Sequence, residues 1–124
     1  MSDAIATVTD ASFPTFLLTH WGRDRASGRQ PVEELVRRYT SDPAGAVGLH
    51  DRGLLEPGLK ADINVIDFDA LSLKRPEVVY DLPAGGRRLI QRATGYRHTF
   101  NAGVETVHHD QLTGERPGRV VRGA

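Results

Sequence analysis

Along the first part of the chain the apolar residues recur at helical spacing, whereas beyond Gly53 they alternate or gather in short runs bounded by Gly and Pro. Phe13, Phe16, Leu17, His20 and Trp21 fall at i, i+3, i+4, i+7 and i+8, which is one helix face. Ser12 is placed to cap that helix, with Pro14 in its first turn, and Gly22 with the charged Arg23-Asp24-Arg25 run closes it. A second helix begins at Pro31, with Glu33 and Glu34 in its first turn and Arg37 and Arg38 in its last, all matching the helix dipole. Each Glu precedes an Arg by four residues, an order that supports an exposed face by roughly 0.2 to 0.5 kcal/mol per pair. Val32, Leu35, Val36 and Tyr39 remain as its buried stripe. A third, short helix has Ser41 or Asp42 as cap, Pro43 at its start and Gly48 as its stop, and its Ala44-Gly45-Ala46 surface is small enough for close packing.

The stretch from Gly53 to Asp67 joins the two halves. Pro57-Gly58 pairs a preset φ with a residue free to take positive φ, the chemistry of a tight turn. Ile63, Val65, Ile66 and Phe68 then read as a strand that Asp67 and Asp69 close. Val78 to Tyr80 and Arg87 to Gln91 are further strands, separated by the turn-forming Leu82-Pro83-Ala84-Gly85-Gly86. Tyr96, His98 and Phe100 alternate with Arg97 and Thr99, and Val104 to His109 alternates again, with Asn101-Ala102-Gly103 between them at hairpin-loop length. Arg119-Val120-Val121-Arg122 reads as a last strand, and Met1 to Thr9 carries no strong element.

Composition narrows the classes. The 124 residues make one domain's worth of chain, with 16 basic and 16 acidic side chains in balance. No overall field steers the protein toward nucleic acid or an anionic membrane. From Gly86 onward seven Arg face three acids, but no aromatic stripe accompanies them, so a solvated face is the first reading. The sequence has no cysteine, which removes disulfides and thiolate zinc sites, and its longest strictly apolar run, Phe16-Leu17-Leu18, is far too short for a membrane span. A cytoplasmic protein is the expectation.

The run Ala46-Val47-Gly48-Leu49-His50-Asp51-Arg52-Gly53-Leu54-Leu55-Glu56-Pro57-Gly58-Leu59-Lys60-Ala61-Asp62-Ile63-Asn64-Val65-Ile66-Asp67 resembles the C-terminal signature of the amidohydrolase superfamily, and within it most closely the N-acyl-D-amino-acid deacylases. The likeness extends upstream through Asp10 to Trp21 and downstream through Asp81-Leu82-Pro83-Ala84-Gly85 and Thr113 to Gly123. It implies a fold of α+β class, in which residues 1–50 are a helical segment ending a TIM-like barrel and residues 51–124 are a C-terminal β domain. That domain would be an antiparallel sheet forming one share of a composite half-sandwich.

In the full-length family a divalent metal, zinc by resemblance, activates water and a carboxylate moves the proton. Relatives draw their metal ligands from a His-x-His pair and from later barrel strands; no His-x-His occurs here, so no metal ligand and no cofactor is assigned to this chain alone. Ser2-Asp3-Ala4 is similar to the Ser-Asp-small motif at the end of the eighth barrel strand, which makes Asp3 the candidate catalytic base by resemblance. Relatives continue with a Gly-Ala-His-like sequence where this chain has Ile5-Ala6-Thr7.

Of the five histidines, none makes a recognised metal spacing: His20 lies on an apolar helix face beside Trp21, and His98 and His108 can approach across the hairpin, where ordinary sheet neighbours are the first reading and a weak adventitious metal site the minor alternative. Three readings follow. The chain is the C-terminal portion of a deacylase-like hydrolase, inactive alone; or a stand-alone, non-catalytic interaction or oligomerisation domain; or one half of a split hydrolase. The partners expected are accordingly a second copy or a complementary barrel-bearing polypeptide, and neither nucleic acid nor membrane.

Overall fold

The computed structural model describes residues 12–121. Helix α1 (Ser12–Phe16) runs directly into π-helical turns over Leu17–Asp24, and α2 (Val32–Tyr39) and α3 (Ser41–Ala46) follow. The strands are β1 (Ile63–Ile66), β2 (Ser72–Leu73), β3 (Glu77–Leu82), β4 (Gly86–Ile90), β5 (Ala93–Thr94), β6 (Tyr96–Asn101), β7 (Val104–His108) and β8 (Gln111–Leu112). All pair antiparallel: β1-β6-β7-β8 form a four-stranded sheet, while β2-β5 and β3-β4 are separate two-stranded ribbons.

The first helix turns its aromatic face outward. Ser12, Thr15 and Thr19 are its buried residues, and Phe13 and Phe16 are 59% and 46% exposed. Periodicity defines two sides of a helix but not which one is covered, and here hydrogen bonding decides. The Thr15 hydroxyl meets the Tyr96 hydroxyl at 2.7 Å, and the Thr19 hydroxyl donates to the Thr15 carbonyl at 2.9 Å. The polar side is therefore satisfied against β6. From Leu17 the helix widens, closing on an Arg25 N–H to His20 carbonyl bond at 3.1 Å, so the helix continues past Gly22 to Asp24. Arg23 then reaches the β half, its guanidinium donating to the carbonyls of Phe68 at 2.5 Å and Leu71 at 2.9 Å.

Helix α2 buries Leu35 and leaves Val36 and Tyr39 largely exposed, so only part of the expected stripe is inside. On its outer side Glu34 accepts from both Arg37 and Arg38, and Arg37 also spans to Asp42 at 2.7 Å. Thr40, not Ser41 or Asp42, precedes α3, and its hydroxyl bonds back to the Val36 carbonyl at 2.8 Å. The small surface of α3 does receive a close neighbour. Gly53 sits at φ +92°, where a Cβ would lie 3.0 Å from the Thr40 carbonyl and 3.1 Å from the Ala44 Cβ.

The Pro57-Gly58 turn forms with Gly58 at φ +93° and a Leu59 N–H to Glu56 carbonyl bond of 3.2 Å, the geometry of a type II turn. The β6–β7 hairpin has a two-residue loop, Ala102-Gly103, because Asn101 already pairs with Val104. Both loop residues have positive φ, 50° and 81°, as a type I′ turn requires. Alanine carries a Cβ penalty there that asparagine largely avoids. Ala102→Asn is expected to stabilise the protein by about 0.5–1 kcal/mol, read as a melting midpoint higher by about 4 °C. The run at 119–121 forms no strand, and Arg122 lies outside the described residues; β8 occupies the sheet edge instead.

Among the described residues the buried apolar side chains are Leu35, Ala44 and Leu71, whereas 16 large apolar residues are exposed. Between α1, α2 and β1 lies an open groove of about 770 Å³, lined by Leu17, Leu18, Val36, Leu54, Ile63 and Ile66 among others. No described helix is long and apolar enough to cross a membrane.

Candidate functional site

The four-stranded sheet concentrates the protein's titratable chemistry at one place. His98 on β6 stands directly opposite His108 on β7. Glu105 is three residues before His108, and strict alternation would send it to the other face. The register prevents this: Thr99 pairs with Val107 and Phe100 with Glu105, leaving Thr106 as the extra residue of a β-bulge. Glu105 is thereby swung beside both imidazoles, its Oε1 lying 2.7 Å from His98 Nδ1 and 2.8 Å from His108 Nδ1. These hydrogen bonds, His98 first and His108 second, hold the Glu105 carboxyl below its ordinary range.

His109 completes the cluster from the β7–β8 turn. His109 and Asp110 have φ of 45° and 64°, again a type I′ pair. The turn is docked on β6 by the N–H of His109 to the Arg97 carbonyl at 2.8 Å and of Asp110 to the Tyr96 carbonyl at 2.9 Å. The His109 ring centre lies 4.6 Å from that of His108 and 5.7 Å from that of His98. The approach of His98 to His108 is legible from the hairpin. Glu105 is not, because a bulge changes face without any marker in residue type.

The remaining candidates stand apart. His20 stacks on Phe16 with ring centres 4.8 Å apart and meets Trp21 edge-on at 5.4 Å, a packing role. Arg97, beside His98, is taken up by Asp67 at 2.5 Å. That bond, followed by the Ala70 N–H, lowers the Asp67 pKa. Asp3 lies outside the described residues.

Comparison with known proteins decides the family, because residues 2–112 match the Amidohydrolase family. The chain belongs to the amidohydrolase family. Two relatives match over short stretches. One is a 5-methylthioadenosine/S-adenosylhomocysteine deaminase of Desulfitobacterium hafniense, 49% identical over 39 residues, or 32% of this chain. The other is an adenine deaminase of Methanoculleus marisnigri, 49% identical over 45 residues, or 36% of this chain. The amidohydrolase chain spans 9% of the length of each of these curated relatives. No solved structure matches it.

The described residues do not fit the family's barrel metal. They contain no His-x-His pair, and the histidines that converge do so on an antiparallel sheet, with the carboxylate of Glu105 between them. No catalytic step is therefore routed through a metal by these residues.

Proposed function

We propose that this chain is the C-terminal part of a metal-dependent amidohydrolase of the N-acyl-D-amino-acid deacylase kind, hydrolysing linear amide C–N bonds only when joined to a barrel that carries the metal ligands. On this reading residues 1–50 supply the closing helices of the barrel and residues 51–124 a share of the β-sandwich beside it, in a cytoplasmic enzyme that uses zinc. The match of residues 2–112 to the family carries the reading. The outward-facing Phe13, Phe16 and Val36 and the adjoining apolar groove support it, since apolar patches of this kind mark surfaces that another element covers. Asp3 would be the proton-shuttling carboxylate once its strand is in place, which the similarity of Ser2-Asp3-Ala4 to the family motif supports.

The test is complementation. The purified chain with added zinc is expected to leave N-acetyl-D-amino acids intact, and hydrolysis is expected when a polypeptide bearing the His-x-His strand is supplied. Asp3→Asn in this chain should then lower that rate at least about a hundredfold, the scale of general-base catalysis. Asp3-dependent turnover by the chain alone would refute inactivity, and release of ammonia from adenine or methylthioadenosine, with no amide hydrolysis, would move the assignment to the deaminases. The exposed phenylalanine face favours a second reading, a non-catalytic self-association domain. Phe16→Asp should then reduce the mass seen by light scattering.

A further inference from the structure

The geometry points to a second, independent site: we infer that His98, Glu105 and His108 bind a divalent transition metal of the zinc class, with His109 beside them as a further donor. One donor atom from each of the first three lies within 4.8 Å of the others. Two imidazole nitrogens and one carboxylate oxygen are a ligand set that zinc accepts, with a fourth position for an imidazole or water.

The convergence is built by the backbone. Cross-strand pairing fixes His98 against His108, the bulge at Thr106 turns Glu105 onto the same face, and the docked type I′ turn brings the His109 ring alongside. Glu105 Oε1 lies within 2.8 Å of both Nδ1 atoms, so both imidazoles already converge on the carboxylate that would share the ion. Tetrahedral zinc with bonds of about 2.1 Å needs its donors about 3.4 Å apart. The donors now lie within 4.8 Å of one another, and on this proposal the ion takes the place of the two imidazole–carboxylate hydrogen bonds.

One carboxylate against a divalent cation leaves a residual single positive charge, which a site partly open to water tolerates. The cation would tie β6 to β7 and to the β7–β8 turn, fastening the end of the sheet. This is a structural clamp, separate from the barrel chemistry proposed above.

Calorimetric titration of the metal-free full chain with zinc chloride is the test. Saturable binding of one zinc per chain at micromolar or lower Kd is expected, together with a melting midpoint raised by about 5 °C in excess zinc. Glu105→Gln and His98→Ala should each weaken binding at least tenfold, while His50→Ala, outside the cluster, should not. Should either variant fold poorly, cobalt absorption and histidine NMR on the unaltered chain replace it: an intense tetrahedral visible band, with shifts confined to His98, His108 and His109, is expected. Binding that does not saturate by millimolar zinc, affinity unchanged in Glu105→Gln, or NMR shifts centred on His20 or His50 would overturn the site. Every readout is on this chain alone, so failure of complementation and failure of metal binding remain distinguishable.

Discussion

Gly95→Ala should be among the most damaging single substitutions in the protein, lowering its stability by about 3 kcal/mol or leaving it insoluble. Gly95 links β5 to β6 at φ +103°, a region that side-chain-bearing residues rarely enter. A Cβ there would stand 2.7 Å from the Cα of Leu71, 2.9 Å from its nitrogen and 3.1 Å from the Asp67 carbonyl. All three are backbone atoms, so no rotamer change relieves the collision. The same glycine accepts the Asp67 N–H at 2.8 Å, and Leu71 is fully buried, so displacement would open a turn and the core together. Two costs add: about 1–2 kcal/mol for the backbone conformation and about 1–3 for overpacking. Urea denaturation checks it, with Gly118→Ala as control, since a Cβ at Gly118 meets nothing within 4 Å. Equal midpoints for the two variants would show that the 67–71 turn yields freely.

The contrast between what was legible and what was not follows the physics of each element. Helix α2 and the β6–β7 hairpin were readable because each carries its own period, and Pro57-Gly58 because a turn's φ requirements sit in its own residues. The orientation of α1 was not readable. Its aromatic stripe is real, but the Thr15 hydroxyl on Tyr96 turns the opposite side inward, a contact between residues 81 apart. Strands β2, β5 and β8 span two residues each, too short to show a period. Val120-Val121 shows the converse, since β-branched residues form a strand only where an edge receives them. At the histidine cluster, sequence spacing yields the facing pair His98 and His108, while Glu105 depends on one unpaired Thr106. Asp3 rests on family likeness alone and lies outside the described residues, whereas the placement of Glu105 comes from the register of the hairpin.

Leu35→Ala is expected to cost about 3 kcal/mol and to free the helices from the sheet before the sheet itself loosens. Leu35 is 1% exposed, and its Cδ1 would lie 3.3 Å from a Cβ built at Gly22, close enough to seat α2 on the first helix. A Cβ at Gly22 would also lie 3.7 Å from the Phe68 ring, so Leu35 and Phe68 close on the same spot of the first helix, and one apolar patch joins two helices and the segment after β1. With Leu35, Ala44 and Leu71 as the buried apolar residues among those described, little else can take up the lost packing. Hydrogen exchange should show the α2 amides losing protection about a hundredfold, while the β6–β7 ladder changes less. Leu35→Met conserves volume and should cost under about 1.5 kcal/mol. Leu35 also lines the apolar groove, so a covering barrel would restore part of the lost protection by binding the folded helices. Restored α2 protection in the complemented protein would tie stability and assembly to the same face; unchanged exchange would place the partner's surface elsewhere.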